Sequence, residues 1–446
     1  MSKPKEYSAM TKDKLMLYTL IALAVLTGIA VIPFGYPVVL IALITVGVSV
    51  GVDVLLAKVT ADSPLNIMSA AVFALIVTNS YTLGLPAMGF GATYPLNLTM
   101  QGIGMYAYPA LIALVGMVLF KKVGGIGGRK LVNPAAAAKL LVLVFLVLIA
   151  LVPAEHTEMF PPMTVSLGLN TVSSEMAPPF GPALLQCFGN NYGAYDLTTG
   201  QVNVVTQEEV LSTMTLMKYH GWAGGVSSIA VIIVGLALFA ICRRYIKWRI
   251  TAAYLVTVAV TALALSMVYA DTDPTIRLIF HVFIGSSIFL AFFMATDPAT
   301  TPLTYTGQLI FGVGLGVLSV LIVTFMTGFF GGSILALVIM NLTCPLLDKI
   351  GKRKPTTETK EPKLPKAKSF TKTTTYQCMR CGACMRVCCH GLSPILIKQA
   401  FDKEDVNALV KLNADFCTGC GHCSFVCPSR IDLKGAVLRS KAMLRQ

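Results

Sequence analysis

Residues 15–57 read LMLYTLIALAVLTGIAVIPFGYPVVLIALITVGVSVGVDVLLA, and Asp53 is the single charged side chain among them. An α-helix needs about 20 consecutive apolar residues to cross the hydrocarbon core of a bilayer. The stretch is long enough for two such helices, with a turn near Gly35. It therefore predicts a chain that crosses the membrane and returns.

Most of the chain up to residue 350 has the same character. Of the 446 residues in the whole sequence, 55% are hydrophobic and 13% are charged, whereas soluble domains carry about 25% charged residues. This excludes a soluble enzyme, a secreted disulfide scaffold and a disordered tail. We predict an all-α polytopic membrane protein with ten candidate spans. They are residues 15–34, 37–57, 66–83, 105–120, 134–153, 222–242, 250–270, 276–295, 308–328 and 332–348.

The basic residues predict the orientation of these spans, because cytoplasmic loops carry the excess of Lys and Arg. With a cytoplasmic N-terminus, loop 154–221 lies outside, and it holds six acidic residues and only Lys218 as a base. Loop 296–307 does not support this orientation, because it would lie on the cytoplasmic side and yet has no basic residue. Both termini are therefore predicted to be cytoplasmic. The bases on that side are Lys58, Lys121, Lys122, Arg129, Lys130, Arg243, Arg244, Lys247, Arg249 and the tail from Lys349.

Ten spans with a long central loop suggest two halves of five, and an odd number of spans inverts one half relative to the other. Gly-rich segments precede the last span of each half, at 124–128 and 331–332. Inverted repeats with interrupted helices place binding sites at the interface of the repeats. The alternative is that Gly and Pro are simply common in membrane helices.

The last fifth of the chain differs from the body. Residues 351–446 hold 18 basic and 7 acidic side chains, and nine of the 12 cysteines lie between Cys378 and Cys427. We predict three domains: a membrane body over 1–349, a basic linker rich in Pro, Thr and Lys over 350–377, and a small α+β domain of the bacterial ferredoxin type over 378–446. The charge alone could suit nucleic acid, but no recognition motif accompanies it, so no nucleic-acid partner is expected.

Two cysteine runs in this domain each have the spacing C-x2-C-x2-C-x3-C, which is the bacterial ferredoxin signature for 4Fe–4S clusters. In two-cluster ferredoxins the fourth cysteine of each run ligates the other cluster. The predicted ligands of cluster one are Cys378, Cys381, Cys384 and Cys427. Those of cluster two are Cys417, Cys420, Cys423 and Cys388. Zinc is the alternative for paired C-x-x-C runs, and the role of the extra Cys389 stays open.

Several motifs of the body resemble one known family. They are 292–298 (FFMATDP), 302–304 (PLT), 307–312 (GQLIFG), 247–250 (KWRI) and the Gly-rich stretch before Asn133-Pro134-Ala135. Together they resemble the membrane-embedded D subunit of the Rnf electron-transport complex, a cousin of the B subunit of the sodium-pumping NADH:quinone reductase. The segment CSFVCPSRI at 423–431 resembles the ferredoxin-type domain of the peripheral C subunit of the Rnf complex. The chain thus looks like an RnfD-like body fused to an RnfC-like cluster domain.

The resemblance implies an FMN bound covalently through its phosphate to a Thr in an outer loop. The best match to the family's pattern is Glu209-Val-Leu-Ser212-Thr-Met-Thr215, so Thr215 is the expected acceptor, with Glu209 and Ser212 as motif residues. Helix-start capping is the alternative use of these hydroxyls. The family also implies a second, noncovalent flavin (riboflavin or FMN) in the body.

Ionisable residues inside a membrane are costly and often functional. Asp53, His281 and Asp297 are therefore candidates for an ion pathway, although helix capping or a buried hydrogen bond would explain them as well.

The resemblance implies a redox subunit of an ion-translocating ferredoxin:NAD oxidoreductase in a prokaryotic cell (inner) membrane. Its partners would be further Rnf-type subunits, soluble ferredoxin or a similar donor, and a flavin transferase for maturation. We expect no activity from the chain alone, and the pumped ion, Na⁺ or H⁺, stays open. The alternatives are a transporter or channel with a redox-sensing cluster domain, and a membrane-tethered electron carrier.

Overall fold

The structure is a computed structural model that describes residues 10–59, 65–84, 104–123, 125–126, 129–150, 207–216, 220–268, 274–325, 332–351 and 375–444. Within these ranges, the first half of the body contains five helices and three short strands. The helices are α1 (Lys12–Phe34), α2 (Pro37–Val59), α3 (Ile67–Asn79), α4 (Gly104–Val115, continued by a π-helix over Gly116–Val123) and α5 (Pro134–Ala150). The strands are β1 (Thr82–Gly84), β2 (Gly125–Ile126) and β3 (Arg129–Lys130).

The second half begins with a short helix and a strand that pairs back onto the first half. The helices are α6 (Gln207–Thr215), α7 (Ser228–Ile241), α8 (Trp248–Val268), α9 (Pro274–Phe283), α10 (Gly285–Phe289, continued by a π-turn over Leu290–Met294), α11 (Tyr305–Phe325) and α12 (Gly332–Leu347). Strand β4 (His220–Trp222) pairs antiparallel with β1, as β3 does with β2.

The chain is a multi-pass membrane protein. Within the described ranges, four helices are long and apolar enough to cross a membrane, namely α1, α2, α8 and α11, and a fifth span results if the bent pair α9–α10 counts as one. Five shorter apolar helices occupy the other predicted positions. The full set of ten spans stays a prediction.

Three interrupted helices meet inside the bundle, and this explains why several helices are short. Helix α3 ends at Asn79, α7 begins after a 3-10 turn over Ala223–Gly225, and α9 breaks from α10 at Ile284. The backbones of Gly225 and Gly285 touch so closely that a Cβ on Gly225 would lie 2.5 Å from the Gly285 carbonyl oxygen. Only glycine fits such an approach.

Over residues 375–444 the C-terminal domain forms helices and no strand, so the predicted α+β fold is not confirmed. It contains α13 (Ala383–Arg386), α14 (Pro394–Phe401), α15 (Val406–Lys411), α16 (His422–Val426) and α17 (Leu433–Met443). The residues between the cysteine runs explain the difference. Pro394 lies at the first turn of α14 and Asp405 caps α15, so both start helices. With two helices, the segment between the runs is too short to contain a β-hairpin as well.

Candidate redox site

The two cysteine runs adopt the same backbone conformation, with each residue of the second run 39 positions after its counterpart in the first. Arg380 (φ 55°) and Gly419 (φ 76°) are both left-handed, and so are Gly382 (φ 72°) and Gly421 (φ 80°). In each run, the backbone amide two residues after the first cysteine donates to the sulfur of that cysteine. The Arg380 amide donates to Cys378 Sγ and the Gly419 amide to Cys417 Sγ, both at 3.4 Å. The loops therefore wrap their sulfur atoms with backbone N–H groups.

Thiols of each predicted set lie close enough to influence one another's pKa, and Cys384 is also influenced by Cys423 of the other set. Burial raises the pKa of the Cys384 thiol well above its ordinary value, and nearby thiols raise it further. Those neighbours include Cys381, Cys378 and Cys427. Burial likewise raises the pKa of Cys423 to about 12, and its contributing neighbours include Cys417, Cys388 and Cys420. Such thiols lose their protons when a metal centre binds them.

Among the described residues, no three His, Cys, Asp or Glu side chains converge as the ligands of one metal ion would. A 4Fe–4S cubane is larger and holds its four thiolates at its outer corners. The ninth thiol, Cys389, lies beside this arrangement, with its Sγ 3.8 Å from Cys420 Sγ.

The C-terminal domain over 375–444, called the cluster domain after its predicted clusters, contacts the membrane body through a buried ion pair. The Arg380 guanidinium donates to Asp348 Oδ2 at 2.9 Å, and the two side chains are 3% and 10% exposed. Asp348 follows α12, and its Oδ1 accepts the Leu303 amide at 2.7 Å. Leu303 in turn packs among the cluster-domain residues Cys384 and Ile395. One carboxylate thus joins the cysteine loop, α12 and the segment before α11.

Further contacts place several body segments on the same side of the bundle. The Lys12 amide donates to the Pro428 carbonyl at 3.0 Å, and Tyr376 Oη donates to Asp13 Oδ2 at 2.7 Å. Tyr245 Oη, after α7, donates to the Val426 carbonyl at 3.4 Å. The N-terminal end of α1 and segment 243–249 therefore share a face, as the charge pattern predicts. That this face is cytoplasmic stays a prediction.

Loop 296–304 has no basic residue of its own, but a buried lysine from another segment binds it. Lys247 is 1% exposed, and its ammonium donates to the carbonyl oxygens of Pro298 and Thr301 and to Thr301 Oγ1, at 2.8 to 3.0 Å. The loop is thus held by a cation from the segment before α8.

A cavity of about 640 Å³ lies directly beside the first cysteine loop. Its size falls in the range of cofactor pockets, about 300–1,000 Å³. Residues from both halves of the body and from the cluster domain form its walls. The aromatic residues there are Phe73, Tyr245, Phe292 and Phe293, the bases are Lys12, Lys121 and Lys130, and the cluster domain adds Gln377, Cys378 and Met379.

Two of the three predicted ion-pathway residues line this cavity. Asp53 is 1% exposed and its Oδ2 accepts the Asn66 amide at 2.7 Å, whereas Asp297 accepts from the Ala299 amide and Thr300 Oγ1. His281 is buried in α9 against Phe280 and is not among the described residues that line the cavity. The structure therefore groups the two aspartates and separates the histidine from them.

Thr215 is the last residue of α6, and its hydroxyl is partly accessible. Its Oγ1 donates to the Leu211 carbonyl at 2.6 Å, and Ser227, the cap of α7, donates to the Thr215 carbonyl at 3.2 Å. Ser212 lies on the exposed side of the same helix, and the side chain of Glu209 lies outside the described part. The described hydrogen-bond partners of Thr215 include no cysteine.

Comparison with known proteins identifies the body. The model of the NQR2, RnfD, RnfE family matches residues 1–357. The chain belongs to this family. The match ends before the first cysteine run, so the membership of the NQR2, RnfD, RnfE family concerns the membrane body.

Individual members of the family show moderate identity. The chain is 30% identical to the D subunit of the Na⁺-translocating ferredoxin:NAD⁺ oxidoreductase complex of Acetobacterium woodii over 253 residues, 55% of this chain and 66% of that protein. It is 35% identical to the B subunit of the Na⁺-translocating NADH-quinone reductase of Ectopseudomonas mendocina over 131 residues, 29% of this chain and 32% of the relative. The D subunit of the proton-translocating ferredoxin:NAD⁺ oxidoreductase complex of Clostridium ljungdahlii is 34% identical over 149 residues, 32% of this chain and 42% of the relative.

The match thus spans just under two thirds of the Acetobacterium protein and less of the other two. The relatives are named as subunits of ion-translocating redox complexes, for sodium in one case and protons in another.

Sequence reasoning missed Arg380 and Lys139, and it did not predict that Lys247 is buried. Arg380 could have been found by aligning the two runs, because it occupies the position of Gly419. Lys139 could have been found as a charge that interrupts an apolar span. Its ammonium contacts the Ser80 carbonyl and lies 4.6 Å from the ring centre of Trp222. The burial of Lys247 leaves no local signal, because its acceptors lie more than 50 residues away in the chain.

Proposed function

We propose that this chain is an electron-transfer subunit of an Rnf-type, ion-translocating oxidoreductase complex. Electrons from a soluble donor would enter at the C-terminal cysteine domain and pass to flavin in the membrane body. The observation that carries the proposal is the cavity that touches Cys378 on one side and both halves of the body on the other.

The residues of the cysteine domain fit two 4Fe–4S clusters, which would supply one-electron transfer. Cys378, Cys381, Cys384 and Cys427 would hold one cluster, and Cys417, Cys420, Cys423 and Cys388 the other. The N–H donors of Arg380 and Gly419 would stabilise the negative charge on the ligating sulfur atoms. The Arg380–Asp348 pair holds the first set against the body.

The cavity fits a noncovalent flavin, which would supply an electron-accepting centre next to the first cysteine set. Phe73 and Phe293 offer aromatic walls, Asn66 offers an amide group, and Lys12 lies near both Cys378 and Lys130. Apolar walls with a few polar groups are typical of cofactor sites. Asp53 and Asp297 in the same cavity would link the charge of the occupant to ion movement, for Na⁺ or H⁺.

Thr215 would carry the second flavin at the other end of α7. The 14 residues of this helix span about 21 Å at 1.5 Å per residue, and they separate Ser227, bonded to Thr215, from the Tyr245 end that contacts the cluster domain. Electron tunnelling falls steeply with distance, so partner subunits would be needed to bridge this gap. That is why we expect the chain alone to be incomplete.

We predict that Thr19→Trp removes most of the noncovalent flavin. Thr19 lines the cavity from α1, and an indole there would occupy space that a ring system needs. The purified protein in nanodiscs would be precipitated with acid, and the released flavin would be quantified per chain. We expect a loss of at least fivefold.

Leu17→Trp is the matched control, since Leu17 lies on the same helix and is 40% exposed toward the outside of the bundle. Its flavin content should equal that of the wild type. Equal flavin in all three proteins would overturn the assignment of the cavity.

A separate prediction concerns Thr215. After expression with a flavin transferase, a denaturing gel should show a fluorescent band that disappears in Thr215→Val, because valine lacks the hydroxyl that forms the phosphoester. Thr257→Val, which removes a hydroxyl of α8 outside the motif, should keep the fluorescence. A dark wild-type band would contradict covalent attachment and leave the cavity flavin unaffected.

The interrupted helices favour a second candidate, a transporter with a redox-sensing cluster domain. Half-helices that end inside a bundle are typical of ion and substrate sites in transporters. Such a protein needs no flavin, so a wild type without flavin in both measurements would favour this candidate.

A further inference from the structure

We infer that the exposed face around the second cysteine set is the docking surface for an acidic one-electron carrier protein. This face consists of Phe416, Thr418, Lys434, Leu438 and Lys441. The inference rests on the proposed function and adds to it the place of entry and the chemistry of the partner.

The first argument is that the two cysteine sets differ in burial. In the first set, Cys381, Cys384 and Cys427 are buried and only Cys378 is intermediate. In the second set, only Cys423 is buried, and the other three thiols are intermediate. The body covers the first set, so a soluble partner can approach more closely to the second.

The second argument compares equivalent positions of the internal repeat. Ile395 is 3% exposed and packs with Leu303 of the body. Its counterpart 39 residues later is Lys434, which is exposed and lines the hollow around Cys417 and Cys420. This position is apolar where the body covers it, and in the second run, where no described part of the body covers it, it is a lysine. The second face therefore has the character of an unfilled interface.

The third argument is the charge of this face. Lys441 donates to the Cys417 carbonyl at 3.0 Å, and Lys434 and Lys441 are both close enough to act on the Cys417 thiol. Of the nearby acids, Asp432 is engaged as the cap of α17, and Asp415 is exposed beside Phe416. On the covered side, the cluster domain offers a base to a carboxylate, Arg380 to Asp348. The open side also presents bases, so its partner should present acidic groups.

The apolar residues supply the centre of the contact. Leu438 is 37% exposed and lies over the left-handed Gly419, where an added Cβ would be 3.4 Å from its Cδ2. Phe416 is also 37% exposed and directly precedes Cys417. A small apolar centre with a charged rim is typical of transient contacts, in which rim charges set the association rate and the salt dependence. One electron would pass at this contact: the carrier would be oxidised by one electron, and the cluster that the second cysteine set would hold would be reduced by one.

The test measures binding of a purified acidic two-cluster ferredoxin, in its oxidised form, to the full chain in nanodiscs. Lys434→Glu is the test variant because its side chain is exposed. Lys403→Glu makes the same charge change at an exposed residue on the side of the domain that faces the body. We expect Lys434→Glu to raise the Kd at least tenfold at low salt and Lys403→Glu less than twofold. The difference should shrink at high salt, because the Debye length falls from about 10 Å at 0.1 M to about 3 Å at 1 M.

Equal effects of the two variants, or wild-type binding that does not weaken with salt, would overturn the inference. A second measurement separates it from the proposed function. If the ferredoxin binds as expected but Thr19→Trp leaves the flavin content unchanged, the docking face stands and the cavity assignment fails. If flavin behaves as expected but Lys434→Glu binds like the wild type, the reverse holds. Iron content of both variants should equal that of the wild type, which checks that the domain is folded.

Discussion

Replacing Cys384 by serine is expected to lower the iron content from about eight to about four atoms per chain, and Cys427→Ser should remove the same cluster. Cys388→Ser should instead remove the cluster that Cys417→Ser removes. The reason is the crossed arrangement, in which the fourth cysteine of each run lies with the other run. Iron analysis gives the stoichiometry, and EPR of the reduced protein shows which cluster signal survives.

The ninth cysteine provides the control for this series. Cys389→Ser should keep about eight irons, because the two sets of four are complete without it. A loss of iron in this variant would make Cys389 a ligand in place of its neighbour Cys420. If Cys427→Ser removed the cluster of the Cys417 run, the crossed arrangement would be wrong. Zinc in place of iron would support the alternative metal.

Replacing Arg380 by glycine is expected to release the cluster domain from the body while both clusters remain. Glycine adopts the left-handed backbone conformation of this position, at φ 55°, without strain, as Gly419 does in the other run. The change removes one partner of a buried ion pair, which costs about 3–5 kcal/mol. Amide hydrogen exchange should therefore become about a hundredfold faster in loop 296–304 and at the Leu303 amide in particular.

Two further variants distinguish the loss of the ion pair from a general loss of structure. Arg380→Gly combined with Asp348→Asn should recover part of the protection, because no buried charge is then left unpaired. Arg439→Gly removes an exposed arginine from the same domain, and exchange in loop 296–304 should not change. Unaltered exchange in Arg380→Gly would show that the pair does not hold the domain in place.

The sequence was sufficient to predict the class of the body, its family and the position of the helices. These rest on local patterns, such as the uncharged run 15–52 and the motif at 292–298, and they need no knowledge of tertiary contacts. The two sets of thiols are likewise predicted from spacing alone. The ligand assignment itself stays a prediction until the iron analysis is made.

The remaining features depend on contacts between distant residues. Ferredoxin-type spacing suggests strands, but the residues between the runs start helices, as Pro394 and Asp405 show. The cavity is formed by segments as far apart as Lys12 and Met379, and no local pattern predicts it. The missing base of loop 296–307 weakens the predicted orientation when the sequence is taken alone, whereas in the fold Lys247 reaches the loop from another segment.

The fusion of body and cluster domain has a consequence for the strength of the contact between them. Two separate proteins would have to meet by diffusion, whereas a short covalent connection gives an effective concentration on the order of millimolar. Contacts such as the Arg380–Asp348 ion pair and the hydrogen bond from Tyr376 to Asp13 then form within one molecule, so that a modest intrinsic affinity is sufficient for high occupancy. Every membrane body also receives one cluster domain, so the stoichiometry does not depend on the expression level of a second gene.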